Sequence, residues 1–108
     1  IQEQLLGQAQ VSGTAASVYT PSTDETAVIK NVTIANVTTS VSAYSLYLDN
    51  DGTTYGDATA LFKNIPIAAG ETHILSVYWP MNRSDGNLGA SCTTTNDCTI
   101  SVFGLIIT

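Results

Sequence analysis

Two cysteines, one histidine, a carboxylate-rich turn and a scatter of aromatics are the residues with chemistry to offer in this chain of 108 residues. Cys92 and Cys98 have five residues between them in a polar, Thr-rich stretch. That spacing predicts a disulfide stapling a short loop, worth roughly 2–3 kcal/mol in the chain-entropy description. Two reduced thiols in a cytoplasmic assembly are the alternative. Zinc lacks a ligand set, because His73 is the one histidine and no second pair of ligands accompanies the cysteines. Asp49-Asn50-Asp51-Gly52-Thr53 sets carboxylates at alternate positions, as a calcium loop does. The match then fails at Thr54 and Ala60, where an EF-hand needs Gly and Glu. Asp57 adds at most one more oxygen, so the stretch reads as a hairpin turn. Neither a metal nor a cofactor is expected.

Acyl-transfer catalysis needs a nucleophile and an orienting acid beside a base. His73, between Thr72 and Ile74, comes with no G-x-S-x-G elbow and reads as a structural residue on a strand. With 11% charged residues the chain has little material for a hydrolase cleft, so no enzymatic activity is expected. The sequons Asn31-Val32-Thr33, Asn36-Val37-Thr38 and Asn82-Arg83-Ser84 arise easily among so many Ser and Thr and are read as accidental. Tyr78-Trp79-Pro80 with Tyr19, Tyr44, Tyr47 and Tyr55 offers a sugar platform in principle. Aromatics scattered over sheet faces are more often core or subunit contacts.

The composition excludes several partners. Nine acidic residues face three basic ones, Lys30, Lys63 and Arg83, for a net charge of -6. Nucleic acid is bound by cations that displace counterions from phosphates, and an anionic membrane surface asks for the same cations. Neither is an expected partner. Hydrophobic residues make up 44% of the chain, too many for a disordered tail. The longest apolar stretches, Ile65–Ala69 and Ile100–Ile107, fall far short of the ~20 residues that span a bilayer. The start, IQEQLLGQAQ, lacks the basic n-region and apolar core of a signal peptide.

The polar residues are unusual in kind: 16 Thr and 10 Ser. With 8 Val and 9 Ile, the 16 Thr bring the β-branched total to 33. Such side chains are stiff at χ1 and suit a pleated sheet. Hydroxyls also solvate a surface without charge, and they are cheaper than charges to bury at a contact.

Period-2 alternation and turn residues divide the chain. Residues 1–10 form a Gln-rich segment, a short strand or an arm on a neighbouring subunit, with Leu5 and Leu6 to bury; it is taken as an N-terminal arm. A weak strand pair surrounds Gly13. Residues 26–38 are the clearest strand, with Val28, Val32 and Ile34 on one face and Ile29 on the other. Residues 42–49 alternate, with Tyr44, Leu46 and Leu48 on one side. Residues 60–65 end at Pro66. Residues 72–79, with His73, Leu75, Val77 and Trp79 on one face, end at Pro80. A long polar loop is expected over 81–97, then a nearly continuous apolar strand over 99–107. The expected fold is all-β: one antiparallel β-sandwich or jelly-roll-like domain over 11–108, preceded by the arm.

The runs VYTPSTDETAVIKNVTIAN, SLYLDNDG and ALFKNIPIAAGET lie within Gly13–Leu75, more than half of the chain. They resemble small β-rich structural proteins of tailed bacteriophages, and among those the capsid decoration (cement) proteins first. The resemblance implies a virion protein on the outer capsid surface that binds the major capsid protein and bridges neighbouring capsomers. It also implies a homo-oligomer, trimer before dimer. The Cys92–Cys98 loop is not part of the resemblance. Leu5, Leu6, Phe103, Leu105, Ile106 and Ile107 are the best apolar candidates for subunit or capsid contact. A tail, neck or fibre subunit, a receptor-binding tip and an extracellular adhesin-like carbohydrate-binding domain remain as alternatives.

Overall fold

Strand-forming residues interrupted by Gly, Pro, Asn and Asp build eight strands in the computed structural model, which describes residues 3–22, 25–49, 55–56, 58–82, 86–93 and 97–107. They are β1 (Glu3–Val11), β2 (Ala16–Tyr19), β3 (Thr26–Asn36), β4 (Ser42–Asp49), β5 (Ala60–Ile67), β6 (Thr72–Asn82), β7 (Asn87–Cys92) and β8 (Cys98–Ile107). Two antiparallel four-stranded sheets result, sheet A in the order β1-β8-β3-β6 and sheet B in the order β2-β7-β4-β5. Only the β4–β5 connection stays within its sheet. Every other connection crosses between sheets, so the chain laces them together in the manner of a sandwich. The all-β sandwich expected from the sequence is the fold.

The core lies between the sheets. Ile29, Val32, Ile34, Ile100 and Val102 enter it from sheet A, and Tyr44, Leu46, Leu88 and Ala90 from sheet B. Leu75, Val77 and Trp79 of β6 pack against them, on the face that alternation assigned. One facing on β3 differs. A bulge between Ile29 and Asn31 leaves Lys30 exposed and shifts the alternation by one. Ile29 therefore joins Val32 and Ile34 inside, whereas Val28 is left out of the core cluster. A bulge does this because its extra residue reverses the faces on one side of it.

Three expected boundaries also differ. The segment taken as an arm is β1, hydrogen-bonded along its length to β8, with Leu5 opposite Phe103 and Val11 opposite Cys98. Removing it would strip β8 of one of its two neighbours. Pro66 and Pro80 do not end their strands. Both sit in edge strands, β5 and β6, where a missing N–H breaks no ladder. The polar loop expected over 81–97 contains the end of β6 and all of β7. Small residues, Gly89, Ala90 and Ser91, disguise β7, yet it is a central strand of sheet B and buried from Leu88 to Cys92. Gly89 is required there: a Cβ would overlap the Tyr55 ring lying on it.

Candidate functional site

Among the described residues, the outer face of sheet A gathers several exposed apolar side chains, Leu5, Ile74, Tyr78, Phe103 and Ile107. Partners in register share a face in an antiparallel pair, so rows can be read across the sheet. One row is Leu5, Phe103, Asn31 and Ser76. The next is Glu3, Leu105, Val28 and Pro80, and Ile107 follows beside Thr26. Leu5 is 50% exposed, Phe103 37% and Ile107 41%. Tyr78 adds a 68% exposed ring from β6. The four strands of sheet A carry just two charged side chains, Glu3 and Lys30. Of the six residues singled out for contact, Leu5, Phe103, Leu105 and Ile107 thus come together. Leu6 packs against the core, and Ile106 pairs with the wholly buried Ala27, so both turn inward. Exposed Tyr78 and Pro80 complete the surface, and Val28 turns to the same side but is buried beneath its neighbours. Tyr78 and Pro80 were legible as the alternate positions of β6. Val28 was not, because the bulge reverses its face.

A second cluster ties the sheets at one end. The Tyr44 hydroxyl, on β4, donates to His73 Nδ1 on β6 at 2.9 Å, with the two rings edge to face. His73 Nε2 then donates to Glu71 Oε1 at 3.1 Å, the tautomer that satisfies all three groups. Burial, and next the nearby Cys98, push the Tyr44 phenol above its usual range. Close by, Asn36 is buried, and its amide uses every polar atom. Nδ2 donates to the carbonyls of Ser40 and Ile67, and Oδ1 accepts from the backbone and hydroxyl of Thr38. Ser42 donates to Asp97 at 2.9 Å. These groups link both sheets and three inter-strand connections. His73 thus links Tyr44 to Glu71 through its two ring nitrogens.

Glu71 supplies a pH test of this cluster. Its carboxylate lies below its usual 4.5, first because the Ala68 N–H donates to it and next because His73 does. A lowered folded-state value stabilises above the ordinary pKa, and the benefit is lost as pH falls through the lowered value. Glu71→Gln should therefore lower the thermal midpoint at neutral pH. The gap to the parent protein should narrow steadily as pH falls below 4.5. Midpoints measured for both proteins down the acid limb decide this; a gap independent of pH would refute it.

The outer face of sheet B is polar by contrast. Tyr47 is buried there, with Lys63 Nζ 3.4 Å from its hydroxyl and 5.6 Å from its ring centroid. Burial raises the Tyr47 pKa, but hydrogen bonds with Ser91, Ser45 and Lys63 outweigh it and hold the phenol below 10.0. Tyr55 lies 5.9 Å from Tyr47 at a tilt of 53°, and its hydroxyl donates to Asn87. The aromatics considered as a sugar platform do not share one surface: Tyr44 is in the core, Trp79 packs inward beside Phe62, and Tyr78 is on sheet A. Of the calcium-like loop, residues 50–53 and Asp57 lie outside the described residues, as do Arg83 and Ser84 of the third sequon. Among the described residues no group of three His, Cys, Asp or Glu is placed to hold a metal ion.

Cys92 ends β7 in sheet B and Cys98 opens β8 in sheet A, and both are buried thiols. The sequence suggested a loop staple. The topology puts the two residues on opposite sheets.

No protein-family model matches the chain, and no curated protein matches it either. Among solved structures, a chain of infectious bursal disease virus, Gx strain, is similar with a TM-score of 0.45 and 10% identity, over 97% of this chain and 29% of that one. A chain of an infectious bursal disease virus particle gives 0.37 and 12%, over 94% and 30%. A chain of the Gt strain gives 0.36 and 11%, over 97% and 28%. The protein thus spans less than a third of the length of these virus chains.

Proposed function

We propose that the protein is a structural component of a virion, a capsid decoration protein that binds the outside of the major capsid shell and bridges neighbouring capsomers. The reading assigns it no reaction. The observation that carries it is the patch of exposed Leu5, Tyr78, Phe103 and Ile107 on the outer face of sheet A, continuous with the edge strand β1. Edge strands left open invite pairing with another chain, and folds usually blunt them. Here β2 is four residues long, and β5 and β6 carry Pro66 and Pro80. By contrast β1 has nine residues, no proline and one charge, Glu3. A shell neighbour, or a second copy in a homo-oligomer, that covered this corner would bury the apolar rows and pair the open backbone together. The motif runs between Gly13 and Leu75 resemble phage structural proteins and agree with this role. The net charge of -6 favours an outward surface over one lining packaged nucleic acid. Many weak copies of one contact hold a shell together through multivalency.

The test is the position of the protein on the particle. Electron cryo-microscopy of virions with and without the protein should reveal extra density repeated over the outside of the head. Density confined to the tail or neck, or its absence from the particle, would reject the decoration role.

A further inference from the structure

We propose that Cys92 and Cys98 close into a disulfide that joins sheet B covalently to sheet A. The inference is independent of the decoration role. Both residues belong to the single core cluster and converge on Val11 of β1. Cys98 is the register partner of Val11, and also of Asn36 in β3. Cys92 Sγ donates to the Val11 carbonyl oxygen at 3.4 Å. The Cys98 thiol is pushed up to about 11, first by burial and next by Cys92. Cys92 ends a strand of sheet B and Cys98 opens a strand of sheet A. A bond here would be more than a loop staple, because it would lock the end of the sandwich that Tyr44–His73 and Ser42–Asp97 hold by hydrogen bonds.

The oxidant is a small disulfide of the glutathione class. Cys92, which keeps 6% exposure where Cys98 has none, loses its proton and attacks one sulfur of the oxidant. One thiolate leaves, and a mixed disulfide forms. Cys98 then loses its proton and attacks the Cys92 sulfur, expelling the second thiolate. Two protein thiols are oxidised, the oxidant is reduced to two thiols, and the two protons end on those leaving groups. The hydrogen bond from Cys92 to Val11 is given up. A high Cys98 pKa makes the closing step slow at neutral pH and faster as pH rises. The bond thus suits a protein made in a reducing compartment and oxidised after release.

The experiment compares two closure constants. The whole protein is equilibrated with reduced and oxidised glutathione, once folded and once in concentrated guanidinium, and the loss of two hydrogens is read by intact mass. A fold that brings the thiols together should raise the closure constant above the unfolded chain's by about tenfold. Linkage then requires the oxidised protein to melt higher than the reduced one. A folded constant equal to or below the unfolded one, or a mixed disulfide that never resolves, would overturn the proposal. Cys92→Ser and Cys98→Ser mark the adducts of single thiols. If Cys98→Ser does not fold, Cys98→Ala serves the same purpose, since the position is apolar.

Discussion

Gly104→Ala should cost about 3 kcal/mol, the largest loss of stability expected from adding a single methyl group anywhere in the described chain. Gly104 sits in the middle of β8, a central strand, where glycine is otherwise a poor choice. It pairs with Ile29 just where β3 bulges. The bulge draws the β3 backbone over Gly104, so that a Cβ would overlap the Val28 carbonyl oxygen and stand 3.1 Å from Ile29 Cα. Both obstacles are backbone, held by the ladders to β6 and β8, and neither can rotate away. Relief would need β3 to separate from β8, in the layer that seats Ile29 in the core. A domain of this size has about 5–15 kcal/mol in total, so the loss is a large share of it. The thermal midpoint should fall by roughly 10–20 °C. Gly56→Ala is the matched control, because nothing lies within 4 Å of a Cβ there. Its midpoint should stay within a degree or two of the parent's. Equal midpoints for the two variants would mean that the close approach at Gly104 is not rigid.

That bulge also marks where sequence reading stops. Alternation located β4 to the residue and put Leu75, Val77 and Trp79 on the core face, because period-2 burial is local and strong in those segments. Alternation has no means of registering one extra residue, so Val28 and Ile29 were assigned to the wrong faces until pairing with β8 fixed them. Pro66 and Pro80 look like strand ends in the sequence because the tolerance of proline depends on whether a strand is at an edge, which is a property of the sheet order. Strand β7 was invisible because Gly89, Ala90 and Ser91 have no strand preference of their own. Gly89 is small because a Cβ there would overlap the Tyr55 ring. The proposed contact face was half legible. Leu5, Phe103, Leu105 and Ile107 stand out in the sequence as apolar residues of the two chain ends, but their meeting on one face follows from the β1–β8 register, a pairing across about ninety residues.

The pairing of Leu5 with Phe103 allows the proposed contact face to be changed without breaking the sheet. Aspartate at both positions would set like charges directly opposite and weaken the β1–β8 ladder. Leu5→Lys combined with Phe103→Asp gives opposite charges on the same pair, keeps the net charge at -6 and supports the strand pairing. Both side chains point away from the core, so the folded monomer should keep its thermal midpoint within a few degrees. Binding is another matter. Each apolar side chain buried at a contact contributes about 1.5–3 kcal/mol, and the new ion pair would have to be desolvated in their place. Affinity for shells lacking the protein should fall by roughly a hundredfold or more. Multivalent attachment would sharpen the loss, since every copy carries the same defect. The control is Lys63→Gln on the outer face of sheet B, where decoration should be unchanged. If the double variant occupied shells like the parent, sheet A would not be the contact face. If Lys63→Gln abolished binding instead, the interface would lie on the Tyr47–Tyr55 side of the sandwich.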